Sequence, residues 1–242
     1  MADPLLELHD ISKSFGSLRV IDDLSLTVEP GEALGVVGPN GAGKTTMMNL
    51  IVGSLPADRG RIRFEGQDVT VRPPHARCRA GMGRTHQIPM PFEHLTVFEN
   101  VLVGARFGRP GADRDHLEIA YGQLERTGLA PKANVLAGSL TLLERKRLEL
   151  ARALATAPRV LLLDEVAGGL TEAEVAQLID SLRDIRAEGI ALVWIEHIVS
   201  ALLSVVDRLL AMDFGRKLIE GEPQAVMASR EVQAIYLGVE EE

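Results

Sequence analysis

Gly38-Pro39-Asn40-Gly41-Ala42-Gly43-Lys44-Thr45 fills every fixed position of a phosphate-binding loop and stands between a strand-like and a helix-like segment. Ahead of it, Ala33-Leu34-Gly35-Val36-Val37 is a short apolar run of buried-strand type. Behind it, Thr46-Met47-Met48-Asn49-Leu50-Ile51-Val52 reads as a helix that stops near Gly53. Glycines at these positions let backbone N–H groups turn inward around phosphate oxygens, and a new helix presents the positive end of its dipole. Lys44 adds a cation and the Thr45 hydroxyl can ligate Mg²⁺, so residues 38–46 form the candidate phosphate cradle. A plain Gly-rich turn with an exposed lysine is the competing reading. The joint register of strand, glycines, lysine and threonine weighs against it.

Composition sets the outer limits. With 242 residues and 46% hydrophobic content, the chain can bury one sizeable core, at most divided into a core and a smaller lobe. Its formal charge of -8, from 34 acidic against 26 basic residues, offers no general attraction to nucleic acid, and no nucleic-acid partner is expected. The start, Met1-Ala2-Asp3-Pro4, lacks a basic region followed by an apolar stretch, and runs such as 160–163 and 190–195 are too short to span a bilayer. The single cysteine, Cys78, excludes an internal disulfide and fits a reducing cytoplasm.

The segments alternate in kind. Strand signals at 5–8, 25–28, 33–37 and 61–64 are separated by turns at Phe15-Gly16-Ser17 and Glu29-Pro30-Gly31. From Thr96 the pattern becomes helical: Thr96-Val97-Phe98-Glu99 resembles a capping box, 113–127 is a second helix candidate, and a third begins at Thr141 and ends before Pro158. Residues 160–163 return to strand. Thr171-Glu172-Ala173-Glu174 is a further capping box, opening a helix whose apolar positions keep helical spacing up to Gly189. A strand at 191–195, a helix near 200–205 and strands at 208–212 and 217–220 follow, and Glu240-Glu241-Glu242 reads as a frayed acidic tail. Alternation of this kind means an α/β fold with a largely parallel sheet.

Val160-Leu161-Leu162-Leu163-Asp164-Glu165 is an apolar strand ending in two carboxylates, which places acids at the carboxyl edge of a parallel sheet beside the phosphate loop. Asp164 would hold Mg²⁺, directly or through water, and Glu165 would orient the water that attacks a γ-phosphate. A pair that merely caps the next turn is the competing reading, weakened by the phosphate loop upstream.

With both motifs in place, the chain resembles the ATP-binding subunits of ABC transporters from Leu5 to Gly238. The resemblance implies a P-loop NTPase core with a mostly parallel sheet, an N-terminal antiparallel β subdomain, and a helical subdomain inserted at about 89–157 in one domain spanning 1–242. It implies ATP and Mg²⁺ as ligands and ATP hydrolysis as the reaction. Phe15 stands where the family stacks an aromatic on adenine, and a ring face suits a planar base. Gln87 matches the glutamine loop, whose amide would reach Mg²⁺ and the attacking water. His197, after Val193-Trp194-Ile195-Glu196, matches the switch histidine that would donate a hydrogen bond to the γ-phosphate. His9, His75, His86, His94 and His116 have no such placement and are expected to be solvated or locally bonded.

The departure from the family lies at Leu140-Thr141-Leu142-Leu143-Glu144, where the usual signature reads Leu-Ser-Gly-Gly-Gln. Thr141 keeps a hydroxyl able to touch a γ-phosphate presented by a second subunit, and it can also be a plain helix cap. Leu142 and Leu143 remove the close backbone approach that two glycines allow. Thr171 stands in the loop where the family commonly carries Asp.

Finer features resemble the ATP-binding subunits of branched-chain amino-acid importers and their urea or amide relatives: Arg84-Thr85-His86-Gln87, the segment 95–101, Arg147-Leu148-Glu149-Leu150-Ala151-Arg152, Ile195-Glu196-His197, and the closing Ile235-Tyr236-Leu237-Gly238. The lipopolysaccharide-export ATPase shares much of this framework. The resemblance implies a second ATPase subunit, identical or homologous, integral-membrane permease subunits, a solute-binding protein acting through the permease, and a peripheral position on the cytoplasmic face of the inner membrane. Ile88-Pro89-Met90-Pro91-Phe92 is expected to line the groove that receives a permease helix. Two other readings are a soluble ABC-type ATPase without a permease, and a non-hydrolysing regulatory subunit suggested by the altered signature. Retention of Lys44, Asp164, Glu165 and His197 argues against the second.

Overall fold

The computed structural model describes residues 3–108 and 113–237. Two sheets divide the strands. The first is antiparallel, in the order β2 (Leu18–Val28), β1 (Leu6–Phe15), β4 (Arg59–Phe64), β5 (Gln67–Asp68). The second runs β10 (Arg216–Gly221), β9 (Arg208–Asp213), β3 (Ala33–Val37), β8 (Ala191–Ile195), β7 (Val160–Asp164), β6 (Met82–Arg84). Every pairing within the second sheet is parallel except that of β9 with β10.

In β3, β7 and β8 every residue is buried, because helices and the first sheet cover both faces. Alternate residues serve different cores. Leu34, Val36, Val160, Leu162, Val193 and Ile195 pack with the first sheet and with α1 (Lys44–Val52). Leu161, Leu163, Leu192 and Trp194 face the other way, against α6 (Glu172–Ala187) and α7 (Val199–Leu203). Each fully buried Leu or Val in these strands contributes about 1.5–3 kcal/mol of transfer free energy.

A third cluster joins α3 (Val97–Gly108), α4 (Asp113–Arg126) and α5 (Leu142–Ala155) through Val97, Val101, Leu124 and Leu148. Two of the expected capping boxes open α5 and α6, where Thr141 accepts from Glu144 N and Thr171 from Glu174 N while each glutamate reaches back to its cap. The expected box at Thr96 and Glu99 makes the same reciprocal bonds.

Several elements differ from the sequence reading. Strands β1 and β2 are much longer than 5–8 and 25–28, since their polar stretches alternate on an exposed face and gave no apolar signal. Helix α2 (Pro74–Ala80) begins with a proline at its first turn, a start signal masked by the neighbouring Pro73. The three residues of β6 are too few to show a period; their pairing with β7 makes them a strand. Helix α7 ends at Leu203 rather than near 205, and the short α8 (Pro223–Met227) and α9 (Arg230–Leu237) went unread. His116 is a correction of another kind: it is 5% exposed, and neither ring nitrogen has a hydrogen-bond partner, because the helical periodicity of α4 turns it inward. Met1, Ala2, Gly238 and the acidic tail 240–242 lie outside the described residues.

Candidate functional site

Strands β3, β8, β7 and β6 run parallel, so the loops that follow them leave from one edge of the sheet. That single fact gathers the phosphate loop after β3, His197 after β8, Asp164 and Glu165 at the end of β7, and Gln87 beyond β6.

The loop depends on backbone that side chains rarely adopt. Gly43 has φ 95°, and a Cβ there would meet the Val20 carbonyl oxygen at 2.7 Å, so the loop can close against β2 only with glycine. Gly41 has φ 86° and open space where a Cβ would stand, which leaves its backbone accessible from the cleft. The cleft is about 190 Å³ and is lined by Val20, Asn40, Gly41, Ala42, Gly43, Lys44, Thr45, Thr46 and Glu165. Lys44 is buried, and its Nζ donates to the carbonyls of Gly38 at 2.7 Å and Pro39 at 2.9 Å. Burial lowers its pKa, while the nearby charges of Glu165 and Asp164 act in the opposite sense.

Glu165 is the hub. Its backbone is left-handed at φ 50°, a conformation that costs a non-glycine residue about 1 kcal/mol or more. One carboxylate oxygen lies 2.7 Å from His197 Nε2, and the other accepts from the Gln87 amide. Beside it Asp164 is buried. Asp164 Oδ2 accepts from Arg84 Nη2 at 3.1 Å, whereas Oδ1 is buried with no hydrogen-bond partner. Burial raises the Asp164 pKa, and the Arg84 charge and hydrogen bond oppose that rise. An unpartnered buried carboxylate oxygen next to a phosphate loop and the exposed Thr45 is the donor set that a hard divalent cation takes, so these residues fit Mg²⁺.

Not every sequence candidate joins this cluster. Phe15 sits at the end of β1, 49% exposed, with Lys13 Nζ 5.7 Å from its ring centre. Thr141 caps α5 at an exposed position and does not line the phosphate cleft. Leu142 next to it approaches the loop after Glu165: a Cβ on Gly169 would lie 3.1 Å from the Leu142 side chain.

Three charged residues had been given no role. Lys146 reaches from α5 and donates to the Val166 carbonyl at 2.8 Å, tying the helical lobe to the turn after Glu165. Glu196 is buried and accepts from two backbone N–H groups, Ala167 and His197, both at 2.9 Å. Arg84 bridges Asp164 and Asn49. A charged residue adjoining a buried-strand run was the available signal for Glu196; Arg84, on a strand of three residues, had no such run beside it. Lys146 gave none, because its position in a charged helical run reads as solvated surface.

Comparison with known proteins agrees with this geometry. The family model described as ABC transporter matches residues 21–168. The branched-chain amino acid transport ATP-binding protein BraF of Pseudomonas aeruginosa is 33% identical over 98% of this chain and 99% of its own length. The lipopolysaccharide export system ATP-binding protein LptB of Haemophilus influenzae is 33% identical over 97% of each chain. A crystal structure of an ABC transporter ATP-binding cassette in its ADP conformation superposes with a TM-score of 0.90 at 31% identity, covering 98% of this chain and 100% of that one. The loop 38–45, the acidic end of β7 and His197 thus stand on the fold of that family, and the chain belongs to the ABC transporter ATP-binding proteins, as an ATPase subunit.

Proposed function

We propose that this chain is the ATP-hydrolysing subunit of an importer for branched-chain amino acids or a related small polar solute. The observation that carries the catalytic part is the Glu165 carboxylate, held at once by His197 and Gln87 and facing the phosphate-loop cleft. The solute class is supported by the likeness to BraF and by the motifs quoted above.

The backbone amides of residues 38–45 and the Lys44 ammonium bind the phosphates of ATP. Thr45, Asp164 and Gln87 would hold Mg²⁺, which when bound supplies charge neutralisation at the phosphates. An ionised carboxylate offers about four acceptor sites; two on Glu165 are taken, which leaves room for a water whose proton it accepts as the water attacks. His197 donates toward the charge that develops on the γ-phosphate. Phe15 stacks on the base, and Thr141 with the start of α5 faces the γ-phosphate held by a second ATPase subunit. The chain forms one ATP-binding domain with a helical lobe at about 89–157.

Closing of two such subunits drives a permease, with a solute-binding protein on its far side. None of the described helices is long and apolar enough to cross a membrane; a peripheral place on the cytoplasmic face follows from the importer reading alone. Ile88, Met90 and Phe92 are exposed, Met90 lines a cleft of about 340 Å³ between the lobes, and the Phe92 ring lies 4.7 Å from the Arg152 guanidinium. We assign that cleft to the permease helix.

A second reading, the ATPase of a lipopolysaccharide-type exporter, is favoured by the equal likeness to LptB. Purification from native membranes with the associated chains separates the two. An importer permease with a solute-binding protein supports the proposal; lipopolysaccharide-export membrane subunits overturn the solute assignment, and absence of any permease overturns the transport role.

A further inference from the structure

One guanidinium joins the elements that carry two of the three proposed metal ligands, Thr45 and Asp164. Arg84 leaves β6 at the edge of the sheet with its side chain only 11% exposed. Its Nη1 donates to Asn49 Oδ1, and its Nη2 donates to Asp164 Oδ2 at 3.1 Å. Asn49 lies four residues after Thr45 on α1, so both side chains stand on one face of that helix. Arg84 therefore spans from the Thr45 face of α1 to the carboxylate at the end of β7. It engages Asp164 through one oxygen and leaves the other buried and unpartnered.

We propose that Arg84 is a positioning residue for the divalent cation: it turns Asp164 so that Oδ1 is presented to the metal, and it fixes the spacing between Asp164 and Thr45. The proposal rests on the reading of Thr45 and Asp164 as metal ligands. A carboxylate in this position must be oriented by a partner, as metal ligands generally are by the groups behind them. Asn49 in turn orients the guanidinium, whose planar fork contacts both partners in one fixed geometry. Two rival accounts predict different outcomes. If Arg84 merely stands in for the cation, its positive charge competes and its removal tightens Mg²⁺ binding. If Arg84 only holds the fold together, nucleotide affinity falls equally with and without Mg²⁺.

The test titrates a fluorescent ATP analogue on the full chain, over a range of Mg²⁺ concentrations and in EDTA, for wild type and for Asp164→Asn, Arg84→Met, Arg84→Lys and Asn49→Ala. In Arg84→Met the half-saturating Mg²⁺ concentration should rise roughly tenfold while affinity in EDTA stays within about twofold. Arg84→Lys should lie between, and Asn49→Ala should shift the same way by less. Unchanged or lower half-saturating Mg²⁺ in Arg84→Met overturns the proposal, as does equal loss in Mg²⁺ and EDTA. Where Arg84→Met does not fold, Asn49→Ala decides, and an unshifted Mg²⁺ requirement there overturns it. Mg²⁺ dependence present in wild type and unaltered in Asp164→Asn would instead sink the metal-ligand reading itself, a different result from failure of the Arg84 variants.

Discussion

His197 and Glu165 meet side chain to side chain, Nε2 to Oε1 at 2.7 Å, although 32 positions separate them in the chain. The sheet makes this contact possible. Strands β7 and β8 are parallel neighbours with Asp164 opposite Ile195, so the residue after one and the second residue after the other emerge together at the same edge. The β-ladder thus sets the geometry of the site, and the side chains complete it.

Glu165→Gln keeps the shape of the side chain and removes its basicity. Phosphate release in a single turnover should slow by at least about a hundredfold, the usual contribution of a general base. Binding of MgATP should persist. His197→Ala should also cost roughly 10²–10³ in rate, through loss of one donor to developing charge. A Glu165→Gln protein that releases phosphate at the wild-type rate would remove the carboxylate from the mechanism.

Glu196 supports His197 from behind. Its buried carboxylate accepts from the backbone N–H groups of Ala167, in a buried bond, and of His197, in a part-buried one, so Glu196→Ala leaves both donors without that partner. Each orphaned group costs about 1–3 kcal/mol. At roughly 2–4 °C per kcal/mol for a chain of this size, the melting temperature should fall by about 4 °C or more. The hydrolysis rate should fall as well, because the loop carrying His197 loses its anchor. Calorimetry and steady-state turnover at 25 °C check the two effects separately; unchanged melting would show that water satisfies both amides.

The chemistry was legible where a motif combines unusual residues with local context. Gly38 to Thr45 needs glycines for its backbone and a lysine for its charge, and both are visible in sequence. The apolar run into Asp164-Glu165 and the boundaries of β3 and β8 were equally plain, since strands buried on both faces read as continuous apolar stretches. Arg84 and Lys146 were not legible in that way. Each acts through contacts 20 or more positions away, Lys146 with Val166 and Arg84 with Asn49 and Asp164. The strand that carries Arg84 exists only because β7 pairs with it. His116 failed for the opposite reason: a polar letter in a charged helix suggested solvent, and only packing reveals that it faces inward.

Phe15 tests the assignment of the base site. The residue is 49% exposed, so its removal leaves the core largely intact. Phe15→Ala should weaken ATP binding by about 0.5–1.5 kcal/mol, roughly two- to thirteenfold, the worth of one stacked ring pair. Phe15→Tyr should restore it. A fluorescence titration that finds equal affinity in wild type and Phe15→Ala would place the base elsewhere.

Thr141 carries two separable duties, and pH helps to divide them. As the cap of α5 its hydroxyl accepts from Glu144 N, and Glu144 reaches back to the Thr141 N–H at 3.1 Å. Thr141→Ala should therefore cost about 1 kcal/mol, seen as a melting temperature roughly 2–4 °C lower. Glu144 is held below the ordinary glutamate range, first by Lys132 and then by the Thr141 backbone. A lowered carboxylate pKa stabilises above the unfolded value, near 4.3, and that contribution is lost as pH falls through the lower folded value. Glu144→Gln should accordingly melt below wild type at pH 7, with the gap closing at pH values under about 4. Both variants remain folded at 25 °C, so hydrolysis by the assembled transporter there reads the second duty. Activity lost in Thr141→Ala and kept in Glu144→Gln assigns the hydroxyl to the partner's phosphate; equal, small losses in both leave Thr141 with the cap alone.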